Sequence, residues 1–118
     1  MAVKDFRDLK IWNGGIDLVE KIYKITKSFP QEELYCLTSQ LRRASISVPS
    51  NIAEGFARRS SKEYKQFLYI SLGSCAEITT QIIVARKLGY LRERESKQLQ
   101  QEIDTLSKMT MSLIKKIR

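Results

Sequence analysis

The chain has 118 residues, 42% hydrophobic and 29% charged, with five glycines, two prolines and no histidine. That length encloses one core and is too short for two independent ones, and the composition excludes a disordered chain. The missing histidine removes Ser-His-Asp and Cys-His catalysis and the Glu-x-x-His ligands of di-iron bundles, while a net charge of +8 favours nucleic acid or acidic protein surfaces as partners.

The opening MAVKDFRDLKIW carries charges where a signal peptide needs an apolar stretch, and no uninterrupted apolar run is long enough to cross a bilayer. A cytoplasmic protein without a membrane partner is expected. From Leu9, the positions Trp12, Ile16, Val19, Tyr23 and Thr26 recur at helical spacing, and Ile11, Leu18, Ile22, Ile25 and Phe29 form a second stripe beside them. Helix one therefore has an apolar arc wider than one neighbour needs. Asn13, Gly14 and Gly15 are poor helix formers, costing roughly 1 kcal/mol per glycine, and mark either local fraying or a close subunit contact.

Next, FPQEE supplies a break and a start: Pro30 suits a first turn, and Glu32 and Glu33 favour the positive end of the helix dipole. Helix two is expected from there, with Leu34, Leu37, Leu41, Ala44, Val48 and Ile52 on its core side. Pro49 offers no amide to the Ser45 carbonyl and costs about 3 kcal/mol, so a kink is expected, softened by hydroxyls of Ser45, Ser47 and Ser50. A bend here could shape a subunit contact. The alternative is a full break, with Asn51 and Glu54 at capping-box spacing for a new helix.

Ser60 and Glu63 form a further capping-box pair that opens helix three. Its inner side reads Tyr64, Phe67, Leu68, Ser71, Leu72, Cys75, Ile78, Ile82 and Ala85, and Gly89 resembles a C-terminal cap. Helix four carries Leu99, Ile103, Leu106, Met109, Leu113 and Ile117 on one face. Short connectors between long helices make neighbours antiparallel. The expected fold is all-α: one domain over residues 1–118, an up-down-up-down four-helix bundle with helix two kinked at Pro49.

Little in the sequence suggests catalysis. Cys36 and Cys75, without CxxC spacing, read as core-filling thiols, and no phosphate-cradling glycine motif is present, so neither metal nor cofactor is expected. Glu54 and Glu77 are the acids expected to face inward, where two carboxylates could hold a cation or act as acid and base, or pair with Arg42 or Arg43.

The cations are more informative. Arg42, Arg43, Arg58, Arg59, Lys62 and Lys65 form one group, Arg86 and Lys87 begin a second that includes Arg92, Arg94 and Lys97, and Lys115, Lys116 and Arg118 make a basic tail. The first eight are the expected nucleic-acid-binding residues, through charge-assisted bonds to phosphates. Tyr64, Tyr69 and Tyr90 lie near them and could stack on unpaired bases, or serve as core anchors. An acidic protein surface is the competing partner, which would make the chain an interaction scaffold.

The stretches FRDLKIW, FPQEELYCLTSQLRRASISVPSNIAEGFAR and FLYISLGSCAEI resemble the small bacterial four-helix-bundle proteins encoded by intervening sequences within large-subunit ribosomal RNA genes. The middle stretch is the most specific, with its arginine pair, Ser-x-Pro-Ser-Asn-Ile-Ala-Glu-Gly and following arginine in the family's order. The resemblance implies a homopentamer with a basic surface that binds RNA or DNA, and no catalysis. One branch of that family is an accessory factor to the reverse transcriptase of diversity-generating retroelements, so a reverse transcriptase is a further implied partner.

Overall fold

A computed structural model describes residues 3–118; Met1 and Ala2, part of the expected domain, lie outside the described residues. Helices α1 (Lys10–Thr26), α2 (Leu37–Phe56), α3 (Ser61–Lys87) and α4 (Glu93–Lys116) form an all-α up-down-up-down bundle, with no strand among the described residues. The 45 Å long axis matches the length of α3, about 40 Å at 1.5 Å per residue.

α1 does not fray at its glycines. A 3₁₀ turn, Phe6–Asp8, precedes it, and Asn13 Nδ2 donates to the carbonyls of Arg7 (2.8 Å) and Leu9 (3.0 Å), tying the turn to the helix. The ring of Phe6 meets Trp12 edge-on at 5.4 Å. The buried stripe of α1 is Ile11, Gly15, Leu18, Ile22 and Thr26, while Trp12 and Tyr23 of the other expected stripe stay half-buried on its flank.

α2 starts later than expected. Pro30 leads only into a second 3₁₀ turn, Gln31–Glu33, and Cys36, at φ −121° and ψ −106°, interrupts the helical backbone before Leu37. Glu33 still acts as a helix-start acid, because its Oε1 accepts from the Leu37 amide at 3.3 Å and its Oε2 from the Tyr90 hydroxyl at 2.9 Å. Cys36 sits at this junction and is exposed, so only Cys75 fills the core.

α2 runs through Pro49 without a break, and Asn51, rather than capping a new helix, lies inside it and donates to the Ser47 carbonyl at 2.8 Å. The serines do not soften the proline in the expected way. Ser45 Oγ donates to the Arg42 carbonyl at 2.8 Å and Ser47 Oγ lies 2.7 Å from Ser74 Oγ, leaving the Ser45 carbonyl without a side-chain donor among the described residues. Pro49 is buried within the bundle, where its ring packs against Gly15 of α1.

α2 and α3 make the closest pair. Ser71 Oγ donates to the Val48 carbonyl at 3.0 Å, and at Gly55 an added Cβ would fall 2.8 Å from the Phe67 Cβ, so that crossing admits no side chain. Ser60 opens α3, its Oγ accepting from the Glu63 amide at 3.1 Å, and Gly89, at φ +83°, closes the following turn. In α4 the last buried positions are Thr110 and Ile114; Met109, Leu113 and Ile117 are half-buried. Two successive four-residue steps from Leu106 shift the inward face by one position, and Thr110 Oγ1 satisfies itself on the Leu106 carbonyl at 2.8 Å.

One core joins all four helices through Ile22, Leu41, Ile52, Leu68, Ile78, Ile82 and Ile103, each fully buried and stabilising by roughly 1.5–3 kcal/mol. The seam between α1 and α4 is the loosest in the bundle. A groove of about 760 Å³ opens along it, bridged by the Lys21–Glu102 ion pair.

Candidate nucleic-acid interface

The eight cations singled out from sequence occupy different environments. Arg42 is half-buried: its Nε donates to Thr26 Oγ1 at 2.9 Å and its guanidinium lies 4.7 Å from the centre of the Tyr23 ring, so it locks α2 to α1. Its neighbour Arg43 is exposed one helical step away. Arg58 also has structural contacts, with its guanidinium 4.7 Å over the Phe67 ring and nitrogens 4.0 Å and 3.9 Å from Glu54 and Glu63.

Because both nearby acids face Arg58, the turn between α2 and α3 leaves Arg59, Lys62 and Lys65 without an ion-pair partner among the described residues. Arg86 and Lys87 stand at the other end of α3, about 37 Å from Lys62 along the helix. Four of the eight residues, Arg58, Arg59, Lys62 and Lys65, thus gather at one end of the bundle, two at the opposite end, and the arginine pair of α2 lies between.

Chain direction adds cations the linear reading had kept apart. α4 runs antiparallel to α3, with Ser107 beside Cys75, so its last turn, carrying Lys115 and Lys116, comes level with Lys65. Lys10, at the start of α1, and Lys116 line one cleft of about 280 Å³. The up-down connectivity therefore brings the α2–α3 turn, the basic tail and the start of α1 to a single pole. The signal was present in sequence, since helix lengths and alternation of direction place the ends of even helices beside the starts of odd ones.

The tyrosines divide. Tyr64 packs edge-on against Phe56, ring centres 6.0 Å apart, and burial pushes its phenol above the usual value. Tyr90 is raised as well, first by its hydrogen bond to Glu33. Tyr69, 52% exposed, is the one of the three whose ring faces solvent. The Cys75 thiol is pushed up by burial, against a smaller lowering by Ser107, which holds it in its neutral form.

The two acids expected inside are outside. Glu54 and Glu77 are both exposed; Glu54 faces Arg58, and Glu77 Oε2 accepts from Gln81 Nε2 at 3.3 Å. Glu54 lies level with Phe67 across the crossing at Gly55, which separates it from Glu77 by about 15 Å along α3. They form no dyad. Nor does any group of three or more Cys, Asp or Glu side chains close enough to share a metal occur among the described residues.

The sequence matches the family described as 23S rRNA-intervening sequence protein over residues 7–112. The chain belongs to this family. The fold agrees with a crystal structure from Bacteroides thetaiotaomicron, described as a protein of unknown function from the S23 ribosomal protein family. The two superpose with a TM-score of 0.82 over 89% of this chain and 95% of that one, at 18% sequence identity. No curated protein matches the chain.

Within this 23S rRNA-intervening sequence protein, the stretch carrying the sequence resemblance is occupied mainly with packing. Pro49 meets Gly15, Gly55 meets Tyr64 and Phe67, and Arg58 covers Phe67. Of the cations gathered at the pole, Arg59, Lys62, Lys65, Lys115 and Lys116 lie after the middle stretch and Lys10 before it.

Proposed function

We propose that the chain is a non-enzymatic, self-associating cytoplasmic protein that grips the phosphate backbone of RNA or DNA with the basic pole of its bundle. The observation that carries this reading is the convergence of Arg59, Lys62 and Lys65, the α4 tail and Lys10 at one end, while Glu54 and Glu63 are engaged by Arg58. Unpaired lysines and arginines on helix ends suit phosphate oxygens, which accept charge-assisted bonds whatever the base. Association of several copies would multiply these contacts. A family named for ribosomal intervening sequences fits a nucleic-acid role, and the resemblance noted from the sequence adds a reverse transcriptase as a proposed partner.

The test is a fluorescence-anisotropy titration of purified protein against single-stranded RNA and duplex DNA between 50 and 200 mM salt. About six phosphate contacts on a duplex predict a loss of affinity on the order of 10³-fold across that range. A flat response, or binding that needs a protein partner surviving nuclease treatment, would reject direct phosphate contact and leave the scaffold reading.

A further inference from the structure

The seam between α1 and α4 changes character along its length. Within the large groove the lysines are offset by Asp17, Glu95 and Glu102, so charge there selects no ligand. Lys10 and Met109 also line the smaller cleft of about 280 Å³, which continues the groove to the basic pole, and no acid lines that part. Lys10 and Lys116 stand on its two sides, and neither has an acid within ion-pair distance among the described residues. Between them the walls are apolar: Leu9 and Ile11 from α1, Met109 and Leu113 from α4, with the Ser112 hydroxyl as the single neutral polar side chain.

We propose that this cleft receives an unpaired base of a nucleic-acid strand, whose flanking phosphates meet Lys10 on one side and Lys116 on the other. This rests on the phosphate-binding part of the proposed function and deepens it, by naming unpaired nucleotides as the ligand.

Charge argues for a strand over a small anion. Arg59, Lys62, Lys65 and Lys115 stand at the same pole, and a strand carries further phosphates to them. A lone amphiphilic anion such as a fatty acid would engage only the two lysines of the cleft.

Shape argues for an unpaired base. A flat ring loses water against apolar walls on both faces, whereas in a duplex those faces are stacked and the edge is paired, so a duplex reaches only the rim. The lining also predicts tolerance of any base. Met109 is a flexible thioether that adapts to rings of different size, and one hydroxyl is too little to read a base edge.

Tyr69 is the competing platform, because its ring is exposed on α3. Cations flank it on one side only: Lys62 and Lys65 precede it, but Glu77 comes before the next cation, Arg86. The cleft has a lysine on each side.

The test compares, by fluorescence anisotropy at several salt concentrations, the affinity of the full chain for a short oligothymidylate and for the same backbone without bases. Both strands carry the same phosphates, so the comparison isolates the base. The intact strand should bind about fivefold more tightly, the low end for a stacked base, with an equal salt slope. A Met109→Ala/Leu113→Ala variant with the circular dichroism of the parent should bind both strands alike at an unchanged slope. As a readout that needs no variant, ultraviolet crosslinking of the parent to a thiothymidine strand should label residues 9–11 or 109–113. Equal affinities with a steep salt response, a folded variant that keeps the fivefold difference, or labelling confined to α3 around Tyr69 would each overturn the base cleft while phosphate binding stands. A flat salt response would reject phosphate binding and the cleft with it.

Discussion

Gly15 of α1 and Pro49 of α2 face each other where the two helices cross, so closely that a Cβ on Gly15 would stand 3.2 Å from both Cβ and Cδ of the proline ring. Each residue is a poor helix former, and each sits in the middle of an unbroken helix. Their juxtaposition explains both: the rigid ring fills the space that an ordinary side chain on α1 would occupy. Neither residue makes sense alone.

Gly15→Ala should therefore destabilise the bundle despite the better helix former. Overpacking against a ring that cannot move aside costs about 1–3 kcal/mol, offset by about 1 kcal/mol of helix propensity. In a Pro49→Ala background the ring Cδ is gone and only the Cβ and the backbone nitrogen remain close, so the same substitution should cost less there than in the parent. Urea melts of the parent, both single variants and the double variant would measure this coupling, and simple additivity would contradict the contact.

At Gly55 the approach is tighter, and the obstacles are the Phe67 Cβ and the Tyr64 carbonyl rather than a flexible side-chain end. Gly55→Ala should cost about 2–3 kcal/mol, lowering the melting temperature by roughly 6–15 °C. Differential scanning calorimetry would show it.

Arg42 and Arg59 should respond to substitution in opposite ways. Arg42→Ala removes the bond to Thr26 and the guanidinium over Tyr23, with a stability loss of about 1–2 kcal/mol and an unchanged salt slope of nucleic-acid binding. Arg59→Ala, Lys62→Ala and Lys65→Ala should leave the melt within about 0.5 kcal/mol while each lowers the duplex salt slope by about 0.9. Salt-dependent anisotropy beside thermal melts separates the two behaviours.

The phenol of Tyr90 donates to a carboxylate, and a negative partner opposes a second negative charge, so its proton is lost above the ordinary value of about 10. Because the folded value is the higher one, the bond's contribution is fully present below that ordinary value and disappears as pH rises through the raised one. Near-ultraviolet absorbance titration should show late ionisation of Tyr64 and Tyr90, and Tyr90→Phe should remove one late proton.

Much of the architecture was legible without coordinates. Apolar spacing marked the helices, Ser60 and Glu63 marked the start of α3, Gly89 marked the end of its last turn, and long helices with short connectors implied the up-down order. The misplaced features depended on neighbours distant in sequence. The start of α2 moved from Pro30 to Leu37 because Glu33 is held by Tyr90 as well as by the helix it caps. Glu54 and Glu77 turned outward because helical spacing alone does not say which of two adjacent stripes a bundle will bury.

By itself, the sequence determined what is local: where helices form, their caps, and the excess of positive charge, since each follows from residues within a few positions of one another. Only the tertiary structure decided which cations remain free, that Arg42 and Arg58 brace helices, and that Gly15 exists for Pro49. The physical reason is that these pairings depend on the register in which helices pack, and register is set by the whole core at once.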